Sequence, residues 1–370
     1  MIDVYSTVKL RPLTDSIVIK DISDAEYFSK AYGDYISNSR LKLINQDENG
    51  SPKKFFEGLN NNKIYSDALI FGSAVHELTL QPTEFFLTDI DRPTAKAGFM
   101  ADYIWDNFID MHDPIALGDN IGEVIAALED DCFIEASNEI DYYKGKMNEE
   151  KIKALKEKCE QYWIDRAMFE AQHIGPTPIY LPSKMREQLS SVLESFNKNK
   201  KFNELLHPTG LLEDPISMNE TTILMDMEYT VTLPEGQKTG VLHIKSKLDN
   251  FTIDAENNTI TVNDVKTTGK YVTEFASGAF NFFHYYRELG MYTWLLRHAV
   301  AKYYNIYNPT IKSNCLVVET FPGYFTKTYE LTKNDLVKGM QEFGWLLRQV
   351  AYFKAKNELQ GARKFLQQVL

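Results

Sequence analysis

Asp249, Asp264 and Lys266 are residues whose types and spacing could do chemistry, and they fall within KLDNFTIDAENNTITVNDVKTT at 247–268. Apolar and polar residues alternate along Ile260-Thr261-Val262-Asn263-Asp264-Val265-Lys266, which predicts a strand. Side chains two apart on a strand share a face, so Asp264 and Lys266 emerge together. Asp249 belongs to the preceding strand, and DAENN at Asp254–Asn258 predicts the turn of an antiparallel hairpin. Two carboxylates and one ammonium can then meet at one spot. Such a set can hold Mg2+ and activate water against a phosphodiester. A surface hairpin with a solvated Asp–Lys pair would show the same short pattern.

Further candidates lie outside the hairpin. His76 follows Gly72, Ser73 and Ala74 on a predicted helix, where small residues permit close packing. If that helix packs beside the hairpin, a neutral imidazole becomes a ligand for a divalent metal; otherwise His76 is a core histidine. Glu288 and Tyr292 are four apart on another predicted helix and share a face. The tyrosine there can donate to a phosphate, or pack with Phe282, Phe283, Tyr285 and Tyr286. Glu228 alternates with apolar residues in Met225–Tyr229 and is either a further carboxylate of the site or a structural polar group.

The elements that must position these residues change character along the chain. Residues 20–82 are expected to be helical, with Ser37-Asn38-Ser39 as a capped start, a polar loop at Gln46–Lys54 and a small-residue-rich helix at Ala68–Leu80. Residues 93–172 read mainly as helices, Gly175–Pro182 as a Pro-rich connection, and 183–206 as one more helix. From Glu220 the period turns to alternation. Strands are predicted at Thr222–Leu233, Thr239–Ile253, Thr259–Lys266 and Ser313–Thr320, with helices at Phe280–Tyr304 and Lys333–Lys356. The fold class is α/β (mixed α+β), with a central mixed sheet flanked by helices. The expected division is 1–90, an N-terminal helical part carrying His76; 91–215, a mainly helical insertion; 216–330, the core; and 331–370, a C-terminal helix.

Composition narrows the function. With 370 residues, 44% of them hydrophobic, the chain can bury a substantial core. No apolar run approaches a membrane span, and the start lacks an export pattern, so a cytoplasmic protein without a membrane role is expected. The net charge of −12 argues against a binder that is basic all over, yet leaves room for a local basic entrance to an acidic site. Basic residues do gather between Lys184 and Lys201, a pattern also expected of a solvated helix end. Cys132, Cys159 and Cys315 are too few and too scattered for a zinc or iron–sulfur site. No GxxxxGK[ST] loop is present, which excludes an ATP motor of that kind.

Several stretches, in order, resemble the PD-(D/E)xK nucleases, and within them the RecE-type exonucleases (exodeoxyribonuclease VIII) of phages and prophages. They are GSAVHELTLQPTEFF at 72–86, KSKLDNF at 245–251, VNDVKTT at 262–268 and ELGMY at 288–292. SNSRLKLIN and SPKKFFEG near the start, and CLVVETFPGYFTKTYEL at 315–331, are similar too. The islands run from about residue 35 to 350, with the insertion at roughly 90–180 unmatched.

The resemblance implies a restriction-endonuclease-like core in which His76, Asp249, Asp264 and the backbone carbonyl of Val265 hold one or two Mg2+ ions, with Mn2+ as a substitute. It makes Lys266 the group that orients the attacking water or stabilises developing charge. Tyr292 matches the tyrosine of a helical QxxxY motif, but Glu288 stands where glutamine is usual, and a carboxylate cannot donate as an amide does. Lys247 stands where arginine is common, which keeps the charge and loses the bidentate geometry. The implied activity is a Mg-dependent exodeoxyribonuclease that degrades linear double-stranded DNA from free 5′ ends. It implies too a single-strand annealing partner, phage-type recombination in a bacterial host, and a ring-shaped homo-oligomer, a tetramer by analogy. Two alternatives stand beside it: a PD-(D/E)xK endonuclease or repair nuclease without end dependence, and a non-catalytic DNA-binding scaffold of the same fold.

Overall fold

The structure, a computed structural model, describes residues 7–57, 65–110, 114–210 and 213–369. The first half of the chain holds β1 (Val8–Lys20), α1 (Asp24–Tyr27), α2 (Asn38–Leu41), α3 (Pro52–Glu57), α4 (Asp67–Leu80), β2 (Phe85–Asp91), α5 (Ala95–Ile104), α6 (Pro114–Ala127), α7 (Asp130–Glu139) and α8 (Glu149–Glu170). It continues with β3 (Thr177–Leu181), α9 (Ser183–Lys198), α10 (Lys200–Leu206), β4 (Ile216–Leu233), β5 (Gly236–Asp254), β6 (Thr259–Thr268), α11 (Ala279–Phe282), α12 (Tyr285–Tyr303), β7 (Thr310–Glu319), β8 (Thr326–Glu330) and α13 (Lys333–Val369). These elements divide into two compact units, one from Met1–Asn62, Phe196–Glu319 and Phe325–Leu370, the other from Lys63–Ser195 and Thr320–Tyr324.

The first unit is built on a six-stranded mixed sheet in the order β1-β4-β5-β6-β7-β8. Every neighbouring pair is antiparallel except β6–β7. A parallel pair needs a crossover, and the chain supplies it with α11 and α12. Burial alternates along much of β4, which suits a strand with one partly open face, whereas β6 and β7 are buried almost without interruption. Apolar residues of the sheet, such as Met225, Leu242 and Ile244, join Leu295 and Leu296 of α12 and Leu346 and Leu347 of α13 in one core. The two helices approach so closely that a Cβ on Gly290 would sit 2.7 Å from the Met340 nitrogen, and glycine alone fits there.

A chain of amides, buried from β5 to β7, crosses four strands of this sheet. Asn250 donates to Asn219 (2.7 Å), Asn263 to Asn250 (2.8 Å) and Asn314 to Asn263 (2.9 Å). These asparagines are direct cross-strand partners, so the chain of bonds fixes the register of β4, β5, β6 and β7 together.

In the second unit, α5–α8 close around Trp105, Phe133 and Trp163, and β2 pairs in parallel with β3. A π-helical turn, Trp105–Ile109, prolongs α5. Among the described residues no helix is long and apolar enough to cross a membrane.

Several local expectations are corrected. Among the described residues of 20–82 there are four short or medium α-helices, the loop expected at Gln46–Lys54 contains a 3-10 turn at Gln46–Glu48 and the start of α3, and a strand precedes them all. Gly175–Pro182 includes β3. The helix expected over 183–206 breaks at Asn199, whose side chain caps α10 by accepting from the Lys201 and Phe202 amides. The helix expected from Phe280 is interrupted at His284, which takes φ 54° in the left-handed region.

Candidate active site

Asp249 sits where the sheet forks. β5 pairs with β4 along nearly its whole length but with β6 only from Asn250 to Asp254. Past Asn250 the two strands part, and their backbone groups need other partners. The Val265 N–H donates to Oδ2 of Asp249 at 2.7 Å. On the opened edge of β5, Ile36 forms a parallel bridge with Ile244, its amide donating to the His243 carbonyl.

The opposite edge of β5 carries a gap in the ladder with no change of register. Pairing skips from Asn219↔Asn250 to Thr221↔Leu248, and Glu220 lies between with φ 46°. Such a residue costs about 1–3 kcal/mol in backbone strain, and the left-handed turn re-aims its side chain. The Glu220 carboxylate thereby comes within 4.8 Å of that of Asp249 and accepts from Lys247 at 3.0 Å.

One strand over, Asp264 is 1% exposed. The Lys266 Nζ lies 2.8 Å from both its carboxylate oxygens and directs its hydrogen bond to Oδ1. Oδ2 is buried without a directed donor. Lys266 Nζ also stands 5.2 Å from the centre of the Tyr285 ring. On α12, the Tyr292 hydroxyl donates to Oε1 of Glu288 at 2.9 Å.

These charges perturb one another. Burial, then Asp249 and Glu288, push the Asp264 carboxyl up against the opposing pull of Lys266. Burial would draw Lys266 down, but Asp264, Glu288 and Asp249 together hold its ammonium well above the usual range. Burial raises Glu288 too, yet Lys266, Lys42 and the Tyr292 hydroxyl outweigh it and keep that carboxyl low. The Tyr292 phenol is pushed up by burial and by Glu288. Negative charge held out of water in this way is relieved by a cation.

A cavity of about 260 Å3 in this unit brings Glu220, Asp249, Glu288 and Tyr292 together with Lys42, Lys245 and Lys247. Behind it the fully buried Arg287 ties α12 down, donating to Asn38 (2.8 Å), Glu48 (2.6 Å) and Glu342 (2.9 Å). Asp249, Asp264, Val265, Lys266, Glu288 and Tyr292 thus all belong to the first unit, while His76 is half-buried on α4 of the second. Glu228 is not part of the cavity lining. It pairs with Arg11 at 3.0 Å on the β1–β4 surface, so it is a surface ion-pair partner. Lys198, Lys200 and Lys201 are exposed where α9 ends and α10 begins. Glu220 and Lys245 were not singled out from the sequence. The sequence signal for Glu220, an acid before a Thr-Thr pair, does not disclose a left-handed residue within a strand.

No protein-family model matches this chain, and no curated protein matches it. One solved structure that it resembles, described as "Putative exonuclease" from Eubacterium rectale, is 12% identical with a TM-score of 0.43, covering 92% of this chain and 88% of that one. At that score the likeness carries no argument about fold or activity.

Proposed function

We propose that this chain is a metal-dependent nuclease of PD-(D/E)xK type that hydrolyses linear double-stranded DNA from its ends. The observation that carries the reading is the buried Asp264–Lys266 pair beside Asp249, at a fork that opens toward a cavity containing both acids and lysines. A donor set that is mainly oxygen, with one imidazole nitrogen, suits Mg2+ or Mn2+. Oδ2 of Asp264, buried without a directed donor, is the kind of lone pair that such an ion takes up. The proposed ligands are Asp249, Asp264, the Val265 carbonyl and, from α4, His76. Bound there, the metal would acidify a water and neutralise charge on the attacked phosphate.

Lys266 is held charged by its acidic neighbours, which fits it to orient the water and to balance charge that develops on the phosphate. Lys245 and Lys247 face the cavity and supply phosphate contacts. Glu288 accepts from Tyr292 and so fixes the direction of that hydroxyl, an orienting role that an acceptor can fill where an amide is more usual. The resemblance in sequence supports the finer parts of the reading: attack from the 5′ end, release of 5′-phosphorylated nucleotides, a ring-shaped tetramer, and an annealing partner in phage-type recombination within a bacterial cytoplasm.

Linear duplex labelled at one end or the other, incubated with Mg2+ or EDTA, tests the proposal. Mg2+-dependent release of the 5′ label first is expected. Digestion of closed circular duplex would replace the end-dependent reading with an endonuclease, and no metal-dependent release from any duplex would leave a non-catalytic DNA-binding protein.

A further inference from the structure

Phe28 is a large apolar side chain 70% exposed to water, and it lines the cavity that holds Asp249. It stands at the end of α1, a single turn too short to be stable by itself. Ser23 caps this turn by accepting the Glu26 amide, and two lysines of β5 secure it. Lys247 pairs with Asp24 at its start, and Lys245 donates to the Tyr27 carbonyl at its end (2.6 Å). Residues 245 and 247 are two apart, so one face of β5 holds both ends of the turn.

Tyr27 is buried in a small cluster with Ile22, Tyr32 and Leu224. The Phe28 ring packs edge-on against Tyr27, centres 5.0 Å apart and planes at 86°. Lys245 Nζ lies 4.3 Å from the Tyr27 ring centre and 5.9 Å from that of Phe28. One edge of Phe28 is therefore fixed on a buried, cation-backed base, and much of the ring remains in water at the cavity wall. A water-exposed ring with so little freedom is preorganised for a flat partner.

We infer that Phe28 is a base-stacking platform, receiving the nucleobase of a nucleotide whose phosphate enters the cavity. The inference rests on the nuclease reading. Every base has a π-face, so such a platform tolerates sequence while requiring that a base be present. It would favour an end or an unpaired nucleotide, because a base inside a duplex already has both faces stacked.

The test uses a short single strand carrying 2-aminopurine at its 5′ end, with Ca2+ in place of Mg2+ to hold the strand uncut. Wild type and Phe28→Tyr are expected to quench the fluorescence. Phe28→Ala is expected to lose the quenching and to bind about tenfold more weakly, since one stacked base contributes roughly 1–3 kcal/mol. Replacing that nucleotide by an abasic one should weaken wild type to the Phe28→Ala level and leave Phe28→Ala unaffected. Circular dichroism of Phe28→Ala checks that α1 and the sheet remain folded. Equal quenching by wild type and Phe28→Ala, or an equal abasic penalty in both, overturns the platform. If Mg2+-dependent DNA release persists in that case, the nuclease reading stands alone. If instead quenching depends on Phe28 but no Mg2+-dependent release occurs, the platform stands and the nuclease reading fails. Wild type that binds no oligonucleotide overturns both.

Discussion

Asp264 and Lys266 hold each other in a place where neither charge would persist alone. Breaking a buried ion pair by removing one partner typically costs about 3–5 kcal/mol, because the other charge is left without compensation. Lys266→Met is therefore expected to lower the unfolding free energy by about that much in a urea titration. The double variant Asp264→Asn/Lys266→Met should recover most of the loss. Each single variant should also abolish Mg2+-dependent release of nucleotides from DNA. A second measurement separates a ligand from a merely structural acid. Mg2+ at a hundred times its dissociation constant should stabilise the wild type by about 2.7 kcal/mol and leave Asp264→Asn unmoved. The sequence made this pair legible because two-residue spacing fixes a common face whatever the rest of the fold does. It left Glu228 open between two readings, since alternation tells which side of a strand a residue takes and not whether that stretch reaches the cavity. Glu220 was illegible for the converse reason: its direction depends on a left-handed backbone conformation within the strand.

The elements differ in how plainly their sequences declare them. β4 to β7 carry apolar alternation or continuous apolar runs because at least one of their faces is buried, and those four strands were readable. β1 and β8 are the sheet's two edges, and both are largely half-exposed. Lys9, Arg11 and Asp15 on β1, and Lys327 on β8, give little apolar signal, as edge strands often do. The amide chain across β4–β7 could not be anticipated either, because it depends on the register that it helps to fix. Asn263→Leu would strand the Asn250 oxygen, the Asn314 amide and the Leu205 carbonyl, all bonded to Asn263. A loss of about 3 kcal/mol in chemical denaturation is expected, at roughly 1 kcal/mol or more per orphaned group. Asn199→Ala removes the cap of α10 and should cost about 1 kcal/mol by the same measurement. Its bond to the Thr326 hydroxyl adds a tertiary reason for the break at that residue.

Over the whole molecule, a net charge of −12 means that long-range attraction cannot bring a polyanion to the cavity, so Lys42, Lys245 and Lys247 must act at short range. The thiols report on how completely the chain has folded. Burial pushes the Cys159 thiol up to about 12 and Cys315 well above its usual range, whereas Cys132 is only half-buried. Native protein titrated with a chromogenic disulfide is expected to yield one reactive thiol per chain, reacting slowly, and three after denaturation. The fork between β5 and β6 has a mechanical side as well. Two branches of one sheet that diverge at Asn250 are spanned there by Asp249, which reaches from one branch to the Val265 amide of the other. An ion gripped by both branches would act as a rivet at the root of the split. Occupancy and local stiffness would then be one equilibrium seen two ways, and hydrogen exchange at Val265 would slow in step with metal titration.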